Sequence, residues 1–322
     1  MKNSIVGIFL RVKHSVRLFV EYPFKKLFSY RFLHERKRIH KPSYFLDNSK
    51  GSDTICVILS GYKEFAWDCV FERIKKFCPT SIDVCIVSSG KYVERLKEIA
   101  VTNGWSYVAM KRNNVCLALN SSIQCFPKAK HVFKLDEDIL VTENFFEVLP
   151  KTHELAKEDF VPGFTAPLIN VNCFCYRKIL EKLDLVDDFT QRFEHPRMYG
   201  FAKIGSDLNI AKYMWGEGGI VPQLDALNRD FSGRSFAYDV CPVRFSIGAI
   251  YYDRATYGIL PVYAGNDLGT DEVVICSKAA SDWLAMIVAN NVVVGHLSYS
   301  PQNKGMEEYF KMHPEVFYLQ SK

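Results

Sequence analysis

The chain has 322 residues, 48% of them apolar and 24% charged, an ordinary globular composition with ample material for one large core. Its net charge of +5 is uneven: residues 1–41 hold eleven Lys or Arg against Glu21 and Glu35 and carry +9, leaving −4 on residues 42–322, which excludes a nucleic-acid footprint on the folded body. Ten cysteines without a CxxC pair exclude a cysteine metal site, and a reducing cytoplasm suits them better than a disulfide framework.

Residues 1–45 read as a basic amphipathic arm. Ile5, Ile8, Phe9, Val12, Val16, Phe19 and Val20 recur at helical spacing, with Arg11, Lys13 and Arg17 interleaved. No apolar run approaches the ~18–20 residues of a spanning helix, and no small-residue cleavage site follows as a secretory signal requires. Two readings stay open. Residues 1–40 lie on an anionic membrane surface, making a cytoplasmic protein peripheral on the inner face, or they pack on the protein's own body.

Residues 46–322 read as one α/β domain, with halves at 46–150 and 151–322. Thr54–Leu59 is a short β-rich run closed by Ser60-Gly61, as a buried parallel strand should be. Residues 65–77 suit a helix, with Trp67, Val70, Phe71, Ile74 and Phe77 on one face. Asp83–Ser88 is a second strand and Tyr92–Asn103 a second helix, with Gly104 where a C-cap belongs. Ser106–Lys111, Cys116–Cys125 and His131–Leu135 continue as strand, helix and strand. This alternation implies a mostly parallel sheet with helices on both faces, whose ligands bind beyond the carboxyl ends of the strands.

The last of these strands runs into Asp136-Glu137-Asp138. Alternation sets Asp136 and Asp138 on one side and Glu137 on the other. Two carboxylates at a strand's carboxyl end make a site for a hard cation, Mn²⁺ or Mg²⁺. The apolar residues before and after the acidic triplet argue against a solvated surface loop, because buried carboxylates need a cation or partner.

The stretch Asn113–Asp138, NNVCLALNSSIQCFPKAKHVFKLDED, resembles the loop, helix and strand that lead into the DxD motif of GT-A fold glycosyltransferases, in particular glycosyltransferase family 2. The resemblance is good over residues 54–150 and loose beyond. It implies a metal-dependent transfer of sugar from a nucleotide-sugar donor to a glycan or lipid-linked acceptor. Ser60, Gly61, Tyr62 and Asp83 would border the nucleotide, and Asn120 matches an Asn of the family's helix. Asp136 and Asp138 would hold metal and diphosphate, with Glu137 among the donor contacts.

Further on, Gly265–Glu272 precedes the apolar-periodic run Val273–Ala289. Thr270 or Asp271 can cap that helix, and acidic residues in its first turn are favoured by the macrodipole. The resemblance implies a base here, since inverting GT-A enzymes keep an acidic residue at this helix start; Asp271 and Glu272 are the two choices. Asn291–His296 reads as a strand ending in histidine, and His296 stands where many GT-A enzymes place a third metal ligand. Between these blocks, Gly163–Tyr176 reads as extended, with Asn170 and Asn172 on one face. Gly216–Gly219 and Asp225–Arg234 read as loops in a smaller, mixed acceptor-side subregion. Tyr199, Tyr213 and Trp215 are candidates to stack on sugars. Two other classes are alternatives: a sugar-phosphate nucleotidyltransferase, for which Ser60–Glu64 offers too few Gly and Lys, and a non-catalytic glycan-binding or scaffold protein on the same fold.

Overall fold

The computed structural model describes residues 38–198, 202–244, 247–262 and 270–319. The amphipathic segment up to residue 37, Tyr199 and Gly265–Gly269 lie outside the described residues. Among the described residues no helix is long and apolar enough to cross a membrane.

The amino-terminal half is the alternation expected from its apolar runs. It contains β1 (Tyr44–Leu46), β2 (Thr54–Ser60), α1 (Trp67–Phe77), β3 (Asp83–Ser89), α2 (Glu94–Asn103), β4 (Ser106–Met110), α3 (Val115–Gln124) and β5 (His131–Asp136). Gly104 ends α2 with a left-handed φ of 67°, which a residue with a side chain adopts only at a cost. Tyr44 and Phe45, read as part of the arm, instead belong to β1, which pairs antiparallel with β4.

The second half contains β6 (Ile139–Leu140), α4 (Phe145–Ala156), β7 (Pro162–Ile169), α5 (Cys175–Lys182), α6 (Val186–Arg192), α7 (Leu208–Met214) and α8 (Leu224–Ser232). There follow β8 (Tyr238–Val240), β9 (Ala249–Asp253), α9 (Arg254–Tyr257), α10 (Thr270–Ser281), β10 (Ala285–His296) and α11 (Asn303–Met312). One sheet joins both halves in the order β1-β4-β3-β2-β5-β9-β7-β10-β6, with β8 on the flank of β10. The strands β2 to β5, β7 and β10 run one way, and β1, β6, β8 and β9 run the other. Every residue of β3, β4 and β7 is buried. Side chains alternate across a strand, so the sheet is covered on both faces.

Two expectations fail in the second half. Asp225–Arg234 is largely the helix α8: Leu224, Leu227, Asn228 and Phe231 recur at helical spacing and are buried, while the polar residues between them face outward. Asp225 itself forms a two-pronged pair with the buried guanidinium of Arg73 (2.8 and 2.9 Å), which ties α8 to α1. The apolar run Val273–Ala289 is not one helix. It turns at Trp283, whose φ is 59°, with Leu284 N–H donating back to Ala279 O (2.8 Å), and the β-branched residues beyond pass into β10. The ten cysteines are free thiols.

Candidate active site

β5 ends at Asp136, the first residue of the acidic triplet. Asp136 N–H donates to Gly248 O (2.8 Å) and Glu137 N–H to Leu59 O (3.0 Å), so the backbone of the acidic triplet is held from both sides. The short strand β6 that follows pairs with the end of β10, placing Ile139 opposite His296. That register carries a histidine 158 positions away to the side of Asp138, with His296 Nε2 lying 3.3 Å from Asp138 Oδ2.

His296 is held on several sides. Its N–H donates to Asn170 Oδ1 (2.9 Å), its carbonyl accepts from Trp215 Nε1 (3.2 Å), and its Nδ1 lies 3.1 Å from Val171 O. A carbonyl only accepts, so Nδ1 carries a proton and the ring turns Nε2 toward Asp138. Nε2 and a carboxylate oxygen of Asp138 then face each other at 3.3 Å. That arrangement asks for a positive centre beside them, and a histidine oriented through its other nitrogen is the usual support of a metal ligand. Among the described residues no group of three or more His, Cys, Asp or Glu is placed to hold a metal ion by itself.

The ammonium of Lys63 donates to that same Asp138 Oδ2 and to Ser298 O (3.3 Å). Burial pushes the Asp138 carboxyl up, but Lys63 and His296 outweigh it and hold the group well below the usual carboxylate range. Asp136 is placed differently. Its Oδ1 lies 2.7 Å from the Nζ of Lys134, a fully buried lysine that also donates to Asp271 Oδ2 (3.1 Å) and Ile247 O (3.2 Å). All three ammonium protons are therefore used. Burial pushes the Asp136 carboxyl up to about 6, Lys134 opposes the shift, and Asp271 and Asp138 add to it. Burial works against the charge of Lys134, yet Asp136 and Asp271 keep its ammonium protonated.

Lys134 thus joins the end of β5 to the start of α10, where Asp271 and Glu272 stand in the first turn. The Glu272 carboxylate lies 3.1 Å from Arg244 Nε. Burial raises its proton affinity, with Arg244 pulling the other way.

Several expected contacts take other places. Glu137 turns its carboxylate into the bend after β2, accepting from Gly61 N–H (2.7 Å), Tyr62 N–H (2.8 Å) and Trp67 Nε1 (2.6 Å). It shapes the bend, and its oxygens are already engaged. Ser60 is buried beside that bend, Gly61 has a φ of 138°, and Tyr62 is exposed with its hydroxyl donating to Ser89 O (2.8 Å). Asp83 sits at the amino end of β3, where its oxygens accept from Lys50 N–H (2.8 Å) and Ser52 N–H (2.9 Å). It lies at the opposite end of the sheet from Asp136, because β3 and β5 both run parallel to β2. Asn120 is a clamp: it donates to Arg38 O (3.0 Å) and Leu260 O (2.9 Å) and accepts from Leu260 N–H (2.9 Å). Tyr213 and Trp215 are buried in the core. A methyl on Gly295 would come within 2.2 Å of the Trp215 ring, so that indole packs under the strand and supports His296. Asn172 accepts from Phe174 and Cys175 N–H (3.0 Å each) and starts α5.

No family model and no curated protein matches the chain. Among solved structures, the chain is similar to a mannosyltransferase from Pyrobaculum calidifontis in complex with GDP-Man and Mn²⁺, at 14% identity and a TM-score of 0.45 over 94% of this chain and 70% of that one. It is similar to glucosyl-3-phosphoglycerate synthase from Mycobacterium tuberculosis, in complex with Mn²⁺ and UDP-Glc, at 14% identity and a TM-score of 0.41 over 88% of this chain and 87% of that one. GalNAc-T7 with UDP, GalNAc and Mn²⁺ aligns at 14% identity and a TM-score of 0.44 over 81% of this chain and 48% of that one.

Proposed function

We propose that this chain is a metal-dependent glycosyltransferase that moves a sugar from a nucleotide-sugar donor to a glycan or lipid-linked acceptor with inversion. The observation that carries the reading is the facing pair of Asp138 Oδ2 and His296 Nε2 at 3.3 Å, with two further carboxylates, Asp136 and Asp271, held to the same strand end through Lys134. Mn²⁺ or Mg²⁺ is bound in such sites through one or two protein ligands, with the substrate's phosphates completing the shell, which suits a pair better than a closed cage. Asp138 and His296 would hold the ion, with Asp136 beside them. When bound, the ion supplies neutralisation of the charge that grows on a leaving nucleotide diphosphate.

The protein's own groups do the rest. Glu272 takes the proton of the acceptor hydroxyl; burial has raised its proton affinity, as a base requires. The freed oxygen attacks the anomeric carbon opposite the diphosphate, whose bond to that carbon breaks and whose oxygen keeps the electron pair. Asp271, bound to Lys134, positions the helix start rather than accepting the proton. The bend Ser60-Gly61-Tyr62, shaped by Glu137, offers the exposed Tyr62 ring to the nucleotide. Within the same proposal, residues 1–40 keep the protein on an anionic membrane surface where a lipid-linked or cell-surface acceptor is found.

The test is nucleotide release from a panel of nucleotide sugars with Mn²⁺ by the purified chain. Turnover that is stimulated by Mn²⁺ and lost in Asp138→Ala is the expected result. Release from no donor, or equal release by Asp138→Ala, sinks the reading.

A further inference from the structure

Lys63 is the first residue after a bend that cannot move freely. Glu137 receives the N–H groups of Gly61 and Tyr62 and the indole of Trp67, and the Tyr62 hydroxyl is tied to Ser89 O. From this anchored point the lysine stem crosses to the ends of β5 and β10. There its ammonium donates to Asp138 Oδ2 and Ser298 O. The oxygen it meets is the one that faces His296 Nε2.

The three side chains differ in freedom. Asp138 and His296 are 5% and 9% exposed, whereas Lys63 is 21% exposed on a flexible four-carbon stem. The Asp138–His296 pair is built in, and the lysine is the member able to leave. A divalent ion arriving at Asp138 and His296 meets an ammonium on the same oxygen, and like charges at contact distance in a poorly solvated site repel strongly. We infer that Lys63 is a resident counter-cation: it holds the Asp138–His296 seat while no ion is bound, and the incoming ion displaces it. This rests on the reading that the ion binds at Asp138 and His296. It adds a self-occluded resting state in which a buried carboxylate keeps its charge and shape without metal.

The experiment is calorimetric titration of Mn²⁺ into the full chain at about 0.15 M salt, where charges beyond about 8 Å are screened. The wild type is compared with Lys63→Met, Lys91→Met and Asp138→Asn. Lys91 is exposed and lies over the Tyr62 ring at 4.2 Å, so its variant removes a nearby charge that does not touch Asp138. Lys63→Met is expected to bind Mn²⁺ about tenfold more tightly, a shift of about 1.4 kcal/mol. Lys91→Met should change affinity less than about twofold, and Asp138→Asn should lose binding. A second readout is the melting temperature: Lys63→Met should melt below wild type in chelator, and the gap should close or reverse in Mn²⁺. Unchanged or weaker Mn²⁺ binding by Lys63→Met, with binding still lost in Asp138→Asn, overturns the inference and leaves the proposed function standing. Equal tightening in Lys63→Met and Lys91→Met also overturns it, since a general field would then suffice. No Mn²⁺ binding by any of the four proteins, with or without added GDP or UDP, removes both.

Discussion

At the amino end of β5 one carboxylate serves three nitrogen-bearing side chains, whereas at the carboxyl end four carboxylates share three permanent cations. Asp253 lies 2.7 Å from His131 Nδ1, 2.8 Å from Lys157 Nζ and 3.6 Å from His153 Nε2. At the other end Asp136, Asp138, Asp271 and Glu272 are answered by Lys63, Lys134 and Arg244. A groove does open at the amino end, between Lys130, His131, Asp253 and Arg254. Its guanidinium is taken up by Phe126 O, Ala129 O and Gln124 Oε1, and its carboxylate by the partners just named. The difference separates a cluster with more nitrogen partners than carboxylates from an electron-rich one that still wants positive charge. In a sheet whose long strands run one way, the second kind stands where ligands bind.

The comparison breaks first if the two ends respond alike to mutation. Asp138→Asn should cut Mn²⁺-dependent nucleotide release by about 10³-fold, as loss of a group that stabilises developing charge does. It should leave the fold intact by circular dichroism. Glu272→Gln should lower turnover by about 10²–10³-fold while Mn²⁺ affinity stays as in wild type, the pattern of a lost base. A silent Glu272→Gln beside an inactive Asp271→Asn would transfer the base to Asp271.

Lys134→Met should be the most damaging change to stability, about 3–5 kcal/mol, because it strands two carboxylates beside a buried void of charge. Urea unfolding measures it. Asp253→Asn at the opposite end should cost about 2–3 kcal/mol, the scale of hydrogen bonds to a charged group. Its turnover per folded molecule should be unchanged. Activity lost in Asp253→Asn out of proportion to stability would erase the distinction between the two ends.

How far this was legible in the sequence depends on the kind of signal. Residues 54–138 announce themselves because buried parallel strands are short apolar runs closed by Ser and Gly, and the observed strands keep nearly those bounds. The helix at Leu224–Ser232 hides behind its outward polar residues, although Leu224, Leu227, Asn228 and Phe231 held the period. Asp138 meets His296, and Asp136 meets Asp271 through Lys134, but Asp83 and Asn120 stand elsewhere, and no residue spacing says so. Lys134 was readable in principle: a lysine inside an apolar strand, two positions before Asp136, must share its face. Lys63 was not. Its role depends on a strand pairing 235 residues away that brings Ser298 within 3.3 Å.

The smallest expected effect is also the sharpest, because the two ends differ in sign. His153, then Lys157 and His131, hold the Asp253 carboxyl below its usual range against the opposing push of burial. A depressed group lends stability above its unfolded value of about 4 and loses it as pH falls through the lower folded value. Asp136 is pushed up to about 6, so it lends stability below its unfolded value and loses it as pH rises through 6. In chelator, the stability of wild type relative to Asp136→Asn should therefore rise as pH drops from 7.5 to 5. The gain should be only about 1 kcal/mol, since a third of that side chain is exposed and solvent screens the rest. Relative to Asp253→Asn, the wild type should lose its advantage as pH falls below about 4 and the carboxyl takes up its proton. If the advantage over Asp136→Asn instead fell as pH dropped from 7.5 to 5, the carboxyl end would be another structural ion-pair cluster, and its carboxylates would not be waiting for a cation.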